Sequence, residues 1–311
     1  MVHNCTKEVC LKMNNYIGID LGGTNVRVAK VDESGNILED VKRPSYALEG
    51  PEKVLSNIKE MIREISDYES CKGIGIGVPG PVDTYRGVMT MSTNLPGFTN
   101  YPLATILENE FHMPVFLDND ANVAGLAEAI VGAGKGLPIV YYITHSTGIG
   151  GALVVDGKVV SGRNGYAGEV GDIIIDRNRK KYNHLNVGAV ENEASGTAIC
   201  RIGKEEIGED IESAREVFGL CYEGDKKALE IIDRISYDFA QMMSTVGLIC
   251  DPHIFVIGGG CSNASDLYFD KLKQYYNSMV HEGMKDVPIV KAVLKEPGVI
   301  GAAMLCLSKG L

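Results

Sequence analysis

Two glycine-rich turns, each set between short apolar runs, constrain the fold of this chain more than any other feature. The first turn reads Asp-Leu-Gly-Gly-Thr-Asn over residues 20–25, and the second reads Ser-Thr-Gly-Ile-Gly-Gly over residues 146–151. Glycine lets backbone N–H groups come close to an anion, and hydroxyl and amide side chains add further donors. A tight hairpin by itself also favours Gly and Asn. Because the same arrangement occurs twice, the sequence predicts a nucleotide held in a cleft between two lobes.

Short buried strands alternate with helices along the 311 residues. A helix with apolar residues at 3.6-residue spacing begins at Pro51, and a buried strand covers Ile74–Val78. The longest helix runs from about Lys226 to Cys250, and its apolar residues step by four and three, which fits a core helix or a coiled-coil seam. No long linker divides the chain. The pattern predicts an α/β fold of two lobes, each of which opens with a glycine-turned hairpin.

Composition excludes several classes of protein. Lys and Arg total 30 against 41 Asp and Glu, a net charge of −11, so nucleic acid and anionic membranes are poor partners. No run of about 18 apolar residues occurs, and Met1–Asn15 lacks the apolar segment of a secretory signal, so we expect a cytoplasmic protein. The eight cysteines are scattered and form no Cys-x-x-Cys pair, which is typical of reduced thiols.

Three other glycine clusters resemble nucleotide-binding turns. Residues 75–80 read Gly-Ile-Gly-Val-Pro-Gly, but their first two glycines lie inside a predicted strand and no helix follows, so we reject a dinucleotide-binding turn. Gly134-Lys135 lacks the spacing and the hydroxyl of a P-loop. Residues 256–260, Val-Ile-Gly-Gly-Gly, end a buried strand where adenine or ribose could lie against bare backbone; a plain strand-to-helix turn is an equal alternative.

Six motifs in order carry a family resemblance. They are Asp-Leu-Gly-Gly-Thr-Asn at 20–25, Gly-Val-Pro-Gly-Pro-Val-Asp at 77–83, Asn-Asp-Ala-Asn at 119–122, Thr-Gly-Ile-Gly-Gly at 147–151, Gly-Tyr-Ala-Gly-Glu-Val-Gly at 165–171 and Val-Ile-Gly-Gly-Gly at 256–260. With this set, the sequence resembles the ROK family of repressors and sugar kinases from Tyr16 to its C-terminus. Any one motif is weak, but six in this order are specific.

The resemblance implies the two-lobed actin/hexokinase-type fold, which is ribonuclease H-like, with ATP and a hexose in the cleft between the lobes. The smaller lobe would cover residues 16–120 plus a C-terminal helix at about 297–311, and the larger lobe residues 121–296. ATP with Mg²⁺ would be the phosphoryl donor and a hexose the substrate. The resemblance also implies a homodimer.

The same resemblance implies a role for individual residues. Asp120 matches the catalytic base that takes the proton of the sugar hydroxyl. The positions that would hold the sugar are Gly80, Asn94, Asn119, Glu169 and Glu191. The positions that would hold the ATP phosphates and the adenosine are Asp20, Gly22, Gly23, Thr24, Asn25, Thr147, Gly148, Gly150 and Gly259.

Elementary chemistry is consistent with a base at Asp120. The residue follows a predicted strand, Val115–Leu117, and precedes a helix that starts at Ala121. A carboxylate there would face a cleft at the strand end, and the helix N-terminus would favour the ionised form that a base requires. Helix capping is the alternative role, and Asp118, Asn119 or Asp120 could each serve as the cap.

The chain departs from the family pattern in one segment. Many members carry a His just after the motif at 165–171 and then a cysteine-rich loop that binds structural zinc. Here Asp172 stands at the His position, and Tyr182, His184 and Ala189 stand at cysteine positions. Zinc prefers four Cys or His ligands in a closed site, so we expect neither zinc nor another metal site in this segment. The family His also touches the sugar, and we expect Asp172 to hydrogen-bond a sugar hydroxyl directly.

Three functions are compatible with the sequence. The leading one is ATP-dependent phosphorylation of a hexose, with the 6-hydroxyl of glucose first and N-acetylmannosamine, fructose or allose as alternatives. A sugar-sensing repressor would need a DNA-binding helix-turn-helix, and only 15 residues precede Tyr16. A non-catalytic sugar-binding protein would need neither Asp120 nor both phosphate turns.

Overall fold

The computed structural model describes residues 13–311. Most of the N-terminal segment for which we expect no secretory signal lies outside this range, as do Cys5 and Cys10. The six described cysteines are free thiols. Among residues 13–311, no helix has the length and apolarity needed to cross a bilayer.

The described residues form twelve β-strands and nine α-helices. The strands are β1 (Asn15–Leu21), β2 (Asn25–Asp32), β3 (Ile37–Pro44), β4 (Ile74–Val78), β5 (Val82–Asp83), β6 (Val88–Met89), β7 (Val115–Asn119), β8 (Ile139–His145), β9 (Ile149–Val155), β10 (Lys158–Val159), β11 (Ile254–Gly258) and β12 (Ile289–Lys291). The helices are α1 (Pro51–Glu64), α2 (Leu103–Phe111), α3 (Asp120–Ile130), α4 (Val190–Ala194), α5 (Gly196–Glu206), α6 (Ala214–Tyr222), α7 (Lys226–Cys250), α8 (Ser265–Met279) and α9 (Pro297–Ser308).

The two large sheets have the same strand order. The first runs β3-β2-β1-β4-β7 and the second runs β10-β9-β8-β11-β12. In each sheet an antiparallel hairpin, β1–β2 or β8–β9, is followed by strands that join in parallel. Parallel strands need a crossover segment, which explains why helices separate the later strands along the chain. This repetition is the two-lobed arrangement that the resemblance implies, while the lobe boundaries at 120/121 and 296/297 stay predictions.

Each sheet has its own hydrophobic core, and a third core joins them. The first core lies between α1, α2 and the first sheet, and the second lies between α7, α8 and the second sheet. The third core brings α3 and α9 together between the sheets, with Tyr16, Val123, Tyr142 and Val299 buried in it. Helix α7 packs on α4, α5, α6 and α8, so it is a core helix and not one strand of a coiled coil.

Close helix packing explains the glycines of the run at 75–80. A Cβ on Gly75 would lie 1.7 Å from the carbonyl oxygen of Ala302 in α9, and a Cβ on Gly77 would lie 2.8 Å from Val123 of α3. No side chain fits at the first position without displacing a helix backbone. Both glycines lie in β4, and the backbone continues into the short strand β5. Gly75 and Gly77 therefore serve helix packing, which is consistent with the rejection of a dinucleotide-binding turn.

Candidate active site

A cleft of about 540 Å³ is lined by residues from both halves of the chain. The loops after β4, the junction of β7 with α3, the β8–β9 turn and the segments before and within α4 contribute to its walls. The predicted sugar and base residues that line it are Gly80, Asn94, Asn119, Asp120, Glu169 and Glu191. The predicted phosphate residues that line it are Thr147, Gly148 and Gly150. The fold thus gathers at one place residues that are far apart in the sequence.

Asp120 is the first residue of α3, and Asn119, the last residue of β7, caps that helix. The Oδ1 atom of Asn119 accepts hydrogen bonds from the N–H of Ala121 at 2.8 Å and of Asn122 at 3.4 Å. Asp120 Oδ1 also accepts from the Ala121 N–H at 2.8 Å. Asn119 Nδ2 donates to the carbonyl of Gly80 at 3.1 Å, which joins two predicted sugar positions. Because Asn119 provides the cap, Asp120 has no need to do so, and its carboxylate lines the cleft.

Burial raises the pKa of the Asp120 carboxyl above its ordinary value. The backbone N–H of Ala121 at the helix start acts in the opposite direction, and the negative charge of Asp20 adds to the rise. The helix N-terminus favours the ionised form, as expected, but desolvation outweighs it, because removing a carboxylate from water costs more than one backbone hydrogen bond returns. A raised pKa brings the group closer to the pH at which a general base is most effective.

Carboxylates crowd one side of the cleft. Burial raises the pKa of Glu169, and the charges of Asp172, Asp120 and Glu191 raise it further. These four carboxylates together make this side of the cleft strongly negative. A negative site favours partners that donate hydrogen bonds or carry positive charge. Sugar hydroxyls and a divalent cation are both partners of this kind.

Glu191 joins the sugar side of the cleft to the β8–β9 turn. Its Oε2 atom accepts a hydrogen bond from the N–H of Ile149 at 2.9 Å. A Cβ on Gly148 would lie 2.5 Å from the same oxygen, so a side chain at this position would displace the Glu191 carboxylate. A predicted sugar residue therefore holds a predicted phosphate turn in place.

Asp172 is exposed at the end of a short 3₁₀ turn, Val170–Asp172, outside the lining of the cleft. Its charge is close enough to contribute to the raised pKa of Glu169. The expected hydrogen bond to a sugar hydroxyl stays a prediction, in which Asp172 acts at the edge of the cleft.

The first glycine turn touches the cleft through Asn94. A Cβ on Gly23 would lie 2.8 Å from the carbonyl oxygen of Asn94, and the Ser45 hydroxyl donates to the Gly23 carbonyl at 2.8 Å. Asp20 lies at the N-terminus of α9, where a Cβ on Gly298 would meet its Oδ2 atom at 2.6 Å. Residues 20–25 lie outside the cleft lining. Phosphate binding stays a prediction for Asp20, Gly22, Gly23, Thr24 and Asn25.

A larger cavity of about 1210 Å³ adjoins the cleft, and the two share Ser146 and Thr147. Its walls include α5 and α6, with Thr197 and Arg201, which the sequence motifs do not contain. Thr197 donates to the Thr147 carbonyl through its N–H at 3.2 Å and its hydroxyl at 2.8 Å. The one sequence signal for this wall is the Ser-Gly-Thr run at 195–197, which starts a helix with small residues.

Gly259 follows β11 with a φ of 84°, a conformation that favours glycine. A Cβ there would lie 2.5 Å from the carbonyl oxygen of His145, so packing alone accounts for glycine at this position. The next residue, Gly260, lines the larger cavity. Contact between Gly259 and adenosine stays a prediction.

Arg179 holds the segment where the family pattern departs. Its guanidinium group pairs with Asp176 at 3.0 Å, Glu193 at 3.2 Å and Asp238 at 2.9 Å. The side chains of Glu193 and Asp238 are only 6% and 5% exposed. Within residues 13–311, no cluster of three His, Cys, Asp or Glu side chains is arranged to hold a metal ion. Ion pairs tie this segment to α4 and α7.

Two lobes of equal strand order enclose a cleft in which a carboxylate of raised pKa lies beside a glycine turn. These features define an actin/hexokinase-type phosphotransferase. The model of the ROK family matches residues 16–309, and the chain belongs to this family.

Relatives of known name agree with this assignment. A glucokinase of Thermotoga maritima is 34% identical over 93% of this chain and 96% of its own length. An N-acetyl-D-glucosamine kinase of Pectobacterium carotovorum is 31% identical over 81% of this chain and 86% of its own length.

Solved structures show the same fold. A ROK hexokinase from Thermus thermophilus has a TM-score of 0.85 and 33% identity, covering 95% of this chain and 100% of that one. A ROK glucokinase from Streptomyces griseus, in complex with glucose and AMPPNP, has a TM-score of 0.75 and 27% identity, covering 94% and 99%. The predicted fold class is confirmed, and the protein is an ATP-dependent sugar kinase.

Proposed function

We propose that this enzyme transfers the γ-phosphoryl group of ATP to the 6-hydroxyl of glucose, with Asp120 as the general base. The observation that carries the proposal is the position of Asp120, a carboxylate of raised pKa that lines the cleft between the predicted sugar residues and the β8–β9 turn. The name of the glucokinase relative favours glucose over N-acetylmannosamine, fructose and allose.

Each residue of the cleft has a task in this reaction. Asp120 accepts the proton of the attacking hydroxyl while the new oxygen–phosphorus bond forms and ADP leaves. Glu169 and Glu191 accept hydrogen bonds from other hydroxyls of the sugar, and Asn94 adds an amide. Because phosphoryl transfer depends mainly on positioning and electrostatics, the residues that hold the ring contribute to the rate as well as to binding.

The acidic cleft also fits Mg²⁺ as the companion of ATP. The charge of Asp20 acts on Asp120, so two carboxylates lie near each other. A Mg²⁺ site needs only one or two carboxylates when phosphate oxygens complete it. When bound, the ion offsets the negative charge of the phosphates. Asp20 would hold the ion, and Asp120 would be free to take the proton.

A panel of hexoses tests the substrate. ADP release is coupled to NADH oxidation and measured with glucose, N-acetylglucosamine, N-acetylmannosamine, fructose and allose. We expect the highest kcat/KM with glucose, and a higher value with another sugar would replace glucose in the proposal. Sugar binding in a calorimeter without ADP release would favour the non-catalytic alternative.

The variant Asp120→Asn tests the base. We expect turnover to fall by about 10³-fold, as for removal of an essential general base, while calorimetry shows glucose binding retained. The matched control is Asp156→Asn, a change in the exposed β9–β10 turn that should leave turnover unchanged. Near-normal turnover of Asp120→Asn would remove the residue from the mechanism.

We further propose that the enzyme is a cytoplasmic homodimer. Leu248 and Ile249 near the end of α7 are 53% and 77% exposed, and an apolar surface of this kind fits contact with a second copy. Light scattering measures the mass in solution, and the mass of a single chain at micromolar concentration would contradict the dimer.

A further inference from the structure

A buried carboxylate with no part in the proposed chemistry lies two residues before the base. Asp118 is 4% exposed at the end of β7. It accepts hydrogen bonds from Asn122 Nδ2 at 2.7 Å, the N–H of Asn119 at 2.8 Å and the Ser161 hydroxyl at 3.1 Å. Since Asn119 caps α3, capping does not explain Asp118. A carboxylate this deeply buried is costly unless hydrogen bonds compensate it, and Asp118 has three donors. This hydrogen-bond network indicates a specific role for Asp118.

The three donors come from both sides of the base and from a distant loop. Asn119 precedes Asp120, and Asn122 follows it in the first turn of α3. Ser161 opens the loop after β10, which leads to Glu169. One carboxylate therefore connects the start of the helix that carries the base with the loop that carries a predicted sugar residue.

After Ser161, the loop packs against both halves of the molecule. A Cβ on Gly165 would lie 2.1 Å from the carbonyl oxygen of Val82 in β5, and a Cβ on Gly168 would lie 2.3 Å from that of Gly151 in β9. The loop contacts both halves at backbone distance, and the hydrogen bond from Ser161 to Asp118 sets where it begins. A shift at that bond would move the loop relative to α3.

Asn122 extends the network to the cleft. It is 2% exposed, lines the cleft, and its Oδ1 atom has no hydrogen-bond partner among residues 13–311. Asp118 engages the Nδ2 atom of the same amide and so fixes its orientation. A buried acceptor without a donor is costly, and an O–H group in the cleft would satisfy it.

We propose that Asp118 is a positioning residue for phosphoryl transfer, which through Asn122 and Ser161 keeps Asp120 and the Glu169 loop in one fixed arrangement. This inference rests on the proposed function. Reacting groups must be held within a fraction of an ångström, so a loosened network lowers the rate without removing any group that touches the substrate. Loss of the hydrogen bond from Ser161 to Asp118 affects the loop that carries Glu169, so it should weaken sugar binding and leave the rate unchanged.

A reciprocal exchange tests the pair. Asn122→Asp sets two buried carboxylates at hydrogen-bond distance and should lower kcat about 100-fold, and Asp118→Asn should lower it about 10-fold. The double variant Asp118→Asn/Asn122→Asp again sets an amide against a carboxylate, and its kcat should return to within about threefold of wild type. The KM for ATP should stay constant in all three. A double variant no faster than Asn122→Asp, or a folded Asp118→Asn with wild-type kcat, overturns the proposal.

Ser161→Ala provides a test that is independent of the buried charge. We expect the KM for the sugar to rise about fivefold, which corresponds to one ordinary hydrogen bond, with kcat and the KM for ATP unchanged. The matched control is Ser236→Ala in α7, where a buried hydroxyl donates to the Ile232 carbonyl inside the helix. Equal effects of the two changes, or no change in KM for Ser161→Ala, overturn the role of the loop. If the wild type phosphorylates no sugar, the proposed function fails; if it is active and the variants match it, only this inference fails.

Discussion

The variant Arg179→Ala should destabilise the protein because it leaves two buried carboxylates without their positively charged partner. Arg179 pairs with Glu193 and Asp238, whose side chains are 6% and 5% exposed, and with the more exposed Asp176. Burial already raises the pKa of Asp238, and Arg179 is the positive charge that opposes the rise. Without that charge, the pKa of Asp238 should rise further.

We expect the free energy of unfolding to fall by about 2–4 kcal/mol. A hydrogen bond to a charged group contributes roughly 1.5–3 kcal/mol, which gives roughly 3–6 kcal/mol for the two inner contacts. The contact with Asp176, which is 36% exposed, adds at most about 1 kcal/mol. The Arg179 side chain is itself 37% exposed, so water fills the vacated space and offsets part of the loss. For a chain of this length, the melting temperature should fall by roughly 3–6 °C.

Scanning calorimetry at about pH 7.5 and about pH 5 measures the effect and its sign. With its pKa raised by folding, Asp238 binds a proton more tightly in the folded state than in the unfolded state. Its contribution to stability is therefore present at low pH and is lost as the pH rises through the folded pKa. The deficit of Arg179→Ala relative to wild type should be largest at about pH 7.5 and smaller at about pH 5.

Two further variants separate charge from shape. Arg179→Lys keeps the charge and loses the fork of donors, so its stability should be intermediate. Adding Asp238→Asn to Arg179→Ala replaces one unpaired carboxylate by a neutral amide. It should restore part of the melting temperature that Arg179→Ala loses. A deficit below about 1 kcal/mol at pH 7.5, or the same deficit at both pH values, would refute the reasoning.

Two other predictions concern the base and the fold. Asp20→Asn removes a negative charge that raises the pKa of Asp120, so the pKa of the Asp120 carboxyl, followed by NMR in the enzyme without Mg²⁺ and nucleotide, should fall; an unchanged pKa contradicts the electrostatic link. Gly75→Ala sets a Cβ 1.7 Å from the Ala302 carbonyl oxygen and should cost about 4 kcal/mol or more. Gly219→Ala in α6 meets nothing within 4 Å and should add about 0.5–1 kcal/mol. Calorimetry measures the melting temperatures of Gly75→Ala and Gly219→Ala. Similar values for the two variants would contradict the packing of α9 against β4.

The local pattern of the chain was enough to predict most elements and the class of fold. The apolar stripe from Pro51 became α1 and the buried run at 74–78 became β4, because helical spacing and strand burial are properties of neighbouring residues. The repeated glycine turn indicated two lobes, and the sheets indeed repeat one strand order. The ordered motifs indicated the family and, with it, Asp120 as the candidate base.

Only the tertiary structure decided which of several adjacent residues does what. Three consecutive residues could have capped α3, and the contacts assign that task to Asn119 and a separate network to Asp118. The pKa of Asp120 depends on desolvation in the cleft and on the charge of Asp20, so its neighbours in sequence could not give the direction of the shift. Arg179, whose three acidic partners include one 59 residues away, has no sequence signal at all. Such roles arise from contacts between segments that are distant in the chain, and spacing along the sequence carries no information about them.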